Sequence, residues 1–219
     1  MAINTYAALQ SDILDTLNRT DLVADVTAYS PGSIEGAVKR AIRRGELRMQ
    51  RELMVRELQE SSTVSYVASS AIYSLPNDFA AFNYVFLSTD PISPLAIKSL
   101  AQLYDDEPSQ TVGEPNALAV YGTTYRLRPT PDGSYTGNLF YNRKIDALSD
   151  SNTGNDILDN YYDVYLYASL LECAPHLKED ERIQVWKGFY DEARRTINQD
   201  STLIWTGTLQ SNVNRVTIV

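Results

Sequence analysis

The hydrophobic period of this chain changes twice, and that constrains its fold more than any single motif. In the N-terminal third, Leu9, Ile13, Leu14 and Leu17 recur at helical spacing, with Tyr6 one turn before them and Asp12 and Asp15 on the other side. A second helix is expected after Ser30-Pro31-Gly32, where Ser30 suits a cap and Pro31 the first turn. Its apolar stripe is Ile34, Val38, Ala41, Ile42, Met49 and Leu53. Gly45 interrupts that helix at a cost of roughly 1 kcal/mol against alanine, which points to a close helix crossing or a local bend.

From about Met54 to Asp150 the period shortens. Runs such as Val64 and Tyr66, Val85-Phe86-Leu87, Tyr125 and Leu127, and Leu139-Phe140-Tyr141 are bounded by turn clusters such as Pro76-Asn77-Asp78 and Pro129-Thr130-Pro131-Asp132-Gly133. Ser99 to Tyr104 reads as a short helix within this region. The helical period then returns. Asp156 to Ala174 is apolar almost all round, so it is expected as one helix packed on several sides and stopped by Pro175. A further helix is expected from about Glu179 to Asn198, with Ile183, Trp186, Phe189, Tyr190, Ala193 and Ile197 on one stripe; the short connection makes an antiparallel helical hairpin. After Asp200 the chain is rich in Thr, a poor helix former, and reads as an extended arm.

The resulting expectation is an α+β fold. Residues 1–53 and 151–200 form a helical bundle, residues 54–150 a β-rich insertion, and residues 201–219 an extended C-terminal arm. The expected bundle core comprises Leu14, Leu17, Val38, Ile42, Tyr165, Leu170, Trp186, Phe189 and Ala193.

Composition narrows the function classes. With 28 acids against 19 bases the formal charge is -9, which argues against a protein that coats nucleic acid. One cysteine, Cys173, and one histidine, His176, leave no zinc cluster and at most one imidazole for acid–base work. The two flank a helix end and Pro175, which is poor geometry for a nucleophile pair, and Cys173 continues an apolar face. Asp105-Asp106-Glu107 reads as an acidic loop, since adjacent carboxylates alone do not cage a cation. Tyr161 to Tyr167 reads as core and interface. No phosphate loop, nucleophile elbow or dinucleotide fingerprint occurs. No catalytic residue, metal or cofactor is therefore expected, and the chain is expected not to be an enzyme. No secretory signal or membrane span is legible, so a soluble protein made in a cytoplasm is expected.

The sharpest charge feature is a basic strip on the second helix: Lys39, Arg40, Arg43, Arg44, Arg48, Arg51 and Arg56, against Glu46 and Glu52. Two readings stand: a solvated face with pairing across the turn, or a contact surface for phosphate or an acidic partner. Because acids predominate, Lys39, Arg40, Arg43, Arg44, Arg48 and Arg51 are expected to face acidic surface on a neighbouring subunit or a protein partner more than DNA.

The chain also resembles the head–tail adaptor (connector) proteins of tailed bacteriophages. The residues that carry the resemblance are Thr5-Tyr-Ala-Ala-Leu with Leu17-Asn-Arg-Thr-Asp-Leu22, the basic helix Ile34 to Met54, and Tyr73-Ser-Leu-Pro-Asn-Asp-Phe79. They continue with Gly113-Glu-Pro-Asn, Tyr125-Arg-Leu-Arg-Pro-Thr-Pro-Asp132, Leu139-Phe-Tyr-Asn142 and the stretch from Asp163 to Asp180. The resemblance implies a structural ring subunit, twelve-fold by analogy, that sits below the portal protein, continues the DNA channel without binding DNA specifically, and docks tail (nozzle or tail-tube) proteins. It implies a place in the virion at the head–tail junction, with assembly in the host cytoplasm. By the same resemblance the arm is a portal anchor, with Trp205, Leu209, Val213, Val216, Ile218 and Val219 as contact residues. The alternatives are a stopper or tail-completion ring protein, or a DNA-binding packaging or regulatory protein.

Overall fold

The computed structural model describes residues 4–17, 34–106, 109–173 and 181–206. Among them the fold is α+β, with six α-helices and two four-stranded sheets. The chain separates into a helical unit, Met1–Glu57 with Ile145–Val219, and a β unit, Leu58–Lys144.

Helix α1 (Tyr6–Leu17) buries Tyr6, Leu9, Ile13 and Leu17. Leu14, expected in the core, is only half-buried, because it lies to one side of the stripe that those four residues define. Helix α2 (Ile34–Glu52) buries Val38, Ala41, Ile42 and Met49, and Leu53 follows them into the core just past the helix end. Ser30 and Pro31, expected to start this helix, lie outside the described residues.

The β unit has β1 (Gln59–Tyr66), β2 (Ile72–Ser74), β3 (Phe79–Leu87), β4 (Ser93–Pro94) and β5 (Ala96–Lys98). After these come α3 (Leu100–Asp106), β6 (Ala117–Tyr121), β7 (Thr124–Arg128) and β8 (Tyr135–Arg143). One sheet has the order β1-β8-β3-β4 and the other β2-β7-β6-β5. All pairings are antiparallel except β5 with β6. Tyr66, Val85, Leu87, Leu139 and Tyr141 from the first sheet meet Leu118, Tyr125 and Leu127 from the second in one core, so the sheets pack face to face. Tyr66 is fully buried and its ring lies directly over Gly137: a Cβ added there would stand 2.3 Å from the ring. Tyr125 Oη donates to Tyr66 Oη at 3.2 Å, which satisfies the polar end of a buried ring inside the sandwich.

Two helices, α4 (Asp156–Asn160) and α5 (Tyr162–Cys173), replace the single helix expected over Asp156 to Ala174. Tyr161 leaves helical backbone geometry (φ -137°, ψ 54°), and just before it the Asn160 side chain bonds back to the Asp156 carbonyl at 2.8 Å. Such side-chain bonds compete with the helix ladder, which the apolar pattern does not register. An added Cβ at Gly45 would lie 3.2 Å from the Ser169 backbone nitrogen and 3.3 Å from the Ala168 carbonyl carbon. Of the two readings of Gly45, the close crossing of α2 and α5 is therefore the observed one.

Helix α6 (Arg182–Thr206) buries Trp186, Tyr190, Ile197 and Ser201. Two core expectations are corrected here. Phe189 is 46% exposed and Ala193 half-buried, since both sit at the margin of the stripe centred on Trp186, Tyr190 and Ile197. Phe189 instead rests against Tyr167, with 5.2 Å between ring centroids. The arm is corrected as well. Residues 201–206, Trp205 among them, are helical and not extended. The Ile197–Ser201 step keeps the buried stripe going, and packing of that kind outweighs the few tenths of a kcal/mol by which Thr disfavours a helix. Leu209, Val213, Val216, Ile218 and Val219 lie outside the described residues.

Candidate functional site

The basic strip on α2 resolves into two faces. Lys39, Arg43, Glu46 and Gln50 follow one another at helical spacing, and all but Arg43 bond the segment that leads to α4. Lys39 Nζ lies 2.8 Å from Asp150 Oδ1, Glu46 Oε1 accepts from the Leu148 amide at 2.7 Å, and Gln50 Oε1 accepts from the Ile145 amide at 2.5 Å. Glu46 is 1% exposed, and its other oxygen accepts from Arg43 Nη1 at 2.8 Å. Burial, then the neighbouring Glu46 carboxylate, pushes the Tyr165 hydroxyl far above its ordinary pKa.

Arg48 bonds Glu172 on α5 through Nε (3.0 Å) and Nη2 (2.5 Å), and its guanidinium lies 6.0 Å from the centre of the Tyr190 ring on α6. Arg56 pairs with Glu57 at 2.8 Å. Farther along, Glu52 accepts from Tyr190 Oη at 2.9 Å and pairs with Arg194 at 3.3 Å. Asn198 closes the end of α2, donating to the Glu52 carbonyl and accepting from the Met54 amide, each at 2.8 Å. Four of the seven bases, Lys39, Arg43, Arg48 and Arg56, are therefore spent inside the helical unit.

The other three are not. Arg40, Arg44 and Arg51 form no ion pair among the described residues, and they share one face with Leu47, which is 47% exposed. Three arginines around an exposed leucine make a charged patch with an apolar centre, the composition of a protein contact more than of a solvated face.

The β unit carries a second surface that the sequence reading passed over. Tyr84 and Phe86 on β3 and Phe140 on β8 point away from the core. Phe86 and Phe140 are stacked with centroids 6.1 Å apart, and Tyr84 lies 5.7 Å from Phe86. They line a groove of about 590 Å³ with Gln59, Glu60, Ser61 and Asn83. The signal was present in Tyr84-Val85-Phe86-Leu87: an alternating strand with large apolar residues at both parities has no polar face.

The remaining candidates have plain positions. Cys173 is buried, and burial, then the charge of Glu172, pushes its thiol up to about 11, so it packs as an apolar group. His176 lies outside the described residues. Asp106 is paired with Lys98 at 2.8 Å. Among the described residues no three His, Cys, Asp or Glu side chains come together as metal ligands, and no helix is long and apolar enough to cross a membrane.

The match to known proteins spans nearly the whole chain. The family model described as SU10 adaptor protein covers residues 4–214, and the chain belongs to that family. Among curated proteins none matches it. The match agrees with the resemblance to phage head–tail adaptors and gives the chain a structural role in a bacteriophage.

Proposed function

We propose that this adaptor-family member is a non-enzymatic ring subunit at the phage head–tail junction, seated below the portal, continuing the DNA channel and docking tail proteins. The observation that carries the reading is the family match over residues 4–214. Three features support it. A ring needs two unlike surfaces that meet head to tail, and in this reading the Arg40–Arg44–Leu47–Arg51 face of the helical unit and the Tyr84–Phe86–Phe140 face of the β unit serve as contact surfaces. A formal charge of -9 suits a conduit through which DNA slides without being held. Buried tyrosines bonded to carboxylates, Tyr165 on Glu46 and Tyr190 on Glu52, make the helical unit a rigid frame for those surfaces. In this reading the helical unit is a bundle into which the β unit is inserted, and residues 207–219 anchor the subunit to the portal through Leu209, Val213, Val216, Ile218 and Val219.

The test is assembly. Purified chain mixed with portal rings should give a second ring stacked on the portal in electron micrographs, with its copy number matching the portal's. A monomer that ignores the portal but joins a tail component would favour a stopper or tail-completion protein. Salt-dependent affinity for free duplex DNA would favour a packaging protein.

A further inference from the structure

Strand β7 turns Tyr125 and Leu127 into the sandwich core and sends Arg126 and Arg128 to the opposite face. Arg128 is 3% exposed, yet among the described residues it meets no carboxylate. Its Nη1 donates to the Ser109 carbonyl oxygen at 2.8 Å, and its guanidinium stacks 4.8 Å from the centre of the Tyr104 ring. Arg126, half-buried, donates from Nη1 to Tyr104 Oη at 2.6 Å. Both arginines line a cleft of about 500 Å³ whose other walls include Ser69, Ser70, Gln110 and Thr130. Two nearby acids have other partners: Asp106 holds Lys98, and Asp132 accepts from Tyr135 Oη; Glu107 lies outside the described residues.

A buried cation is costly unless it is paired, and a guanidinium offers five donors in a rigid fork. Among the described residues Ser62 Oγ is the one fully enclosed side-chain polar atom without a hydrogen bond. The guanidinium N–H groups that bond nothing among the described residues are therefore not sealed in, and the cleft is the space that both arginines line. Two charged forks, flanked by neutral hydroxyl and amide groups, form a receptor for an oxyanion.

We propose that this cleft binds a carboxylate presented by an acidic segment of a neighbouring protein chain. The planar fork matches a carboxylate in a bidentate pair. A nucleic-acid backbone fits poorly, because the β unit carries eight acids against five bases, and a polyanion needs many cations where a single carboxylate needs two. That the neighbour is a protein rests on the adaptor reading; the site itself can be tested on the isolated full-length chain, whatever rings form.

The probe is a capped tri-glutamate peptide, with capped tri-glutamine, inorganic phosphate and duplex DNA as comparisons, followed through the arginine Nε–Hε NMR signals at low salt. Tri-glutamate should shift the Arg126 and Arg128 signals and tri-glutamine should not. Arg126→Gln should weaken peptide binding at least ten-fold while its circular dichroism stays native. Should that variant fail to fold, Arg126→Lys, which keeps the charge and loses the fork, should weaken binding measurably. Any of four results overturns the proposal: no shift with tri-glutamate, an equal shift with phosphate, a larger response to DNA, or peptide binding that appears only in Glu107→Gln. The last would mean that the chain's own acid fills the cleft. None of these results depends on whether the chain stacks on a portal, so loss of the site and loss of the adaptor reading are told apart.

Discussion

The Tyr165 hydroxyl donates to Glu46 Oε1 at 2.8 Å, inside the helical unit and 119 positions away in sequence. The same oxygen accepts from the Leu148 amide, and Oε2 accepts from Arg43, so one buried carboxylate ties α2 to α5 and to the segment before α4. Glu46→Leu leaves two buried donors without an acceptor and should cost about 3–5 kcal/mol. Glu46→Gln keeps one carbonyl oxygen and should cost distinctly less. Urea denaturation of both variants checks this; equal losses would show that the carboxylate is not the tie.

Gly137→Ala should destabilise the β unit by about 1–3 kcal/mol, the range for overpacking a filled core. The new methyl would meet the Tyr66 ring at 2.3 Å, and Tyr66 is itself enclosed. Pairing it with Tyr66→Leu, which withdraws the ring, should make the second change nearly neutral in a double-mutant cycle. Additive losses would place the clash elsewhere.

The two faces of α2 predict opposite phenotypes. Arg40→Glu, Arg44→Glu and Arg51→Glu together should leave melting within a few degrees of the parent and impair ring assembly, most strongly at low salt, where charge pairs are least screened. Arg43→Glu with Arg48→Glu should lower the melting temperature, since both residues are bonded inside the unit. Intact rings from the triple variant would remove this face from the assembly.

Truncation separates helix from anchor. A chain ending at Thr206 keeps α6 whole and should melt close to the full-length chain, whereas one ending at Asp200 loses buried Ser201 and the end of α6 and should melt earlier. The Thr206 truncation should fail to bind portal. Portal binding at full strength would move the anchor away from residues 207–219.

Stability should fall in alkali. Burial, then Glu172, raises the Cys173 thiol from 9.0 to about 11, and burial, then Asp150 and Glu46, raises the Tyr6 hydroxyl from 10.0 to about 12. A raised value means that the folded chain holds a proton which the unfolded chain has released. The stabilisation is therefore complete below about pH 9 and is lost as pH climbs through 11 and 12. Melting temperature against pH should decline across that window, and Cys173→Ser should flatten its lower part. An unchanged profile in that variant would mean that the thiol is not shielded.

The α+β class was legible because period is a local property: Leu9, Ile13 and Leu17 announce a helix, and Val64 and Tyr66 a strand, without reference to partners. What a stripe does not disclose is its centre. Phe189 and Tyr190 are adjacent aromatics on the same helix, and only the side of α6 that meets α2, where Glu52 and Arg48 lie against Tyr190, decides that Tyr190 is enclosed and Phe189 is not. The end of α6 was misread for a related reason, since Thr202 and Thr206 speak for their own propensities and not for the packing of Ser201. Charge was the least legible. In sequence Glu46 is one acid among seven bases and Arg128 one base before a proline; burial and distant partners give each its role, and neither is encoded nearby.

Gln59 pairs with Asn142 across β1 and β8, so the β unit starts and finishes on neighbouring strands, with Cα atoms about 5 Å apart. For the helices on either side, the whole of Leu58–Lys144 is then equivalent to a short hairpin, and the closure entropy they bear is that of a few residues. A domain attached in this way is replaceable: it can grow, shrink or be exchanged while the helical frame keeps its register. Natural variation among adaptors of this kind should accordingly collect within the β unit and leave intact the part that folds around Glu46.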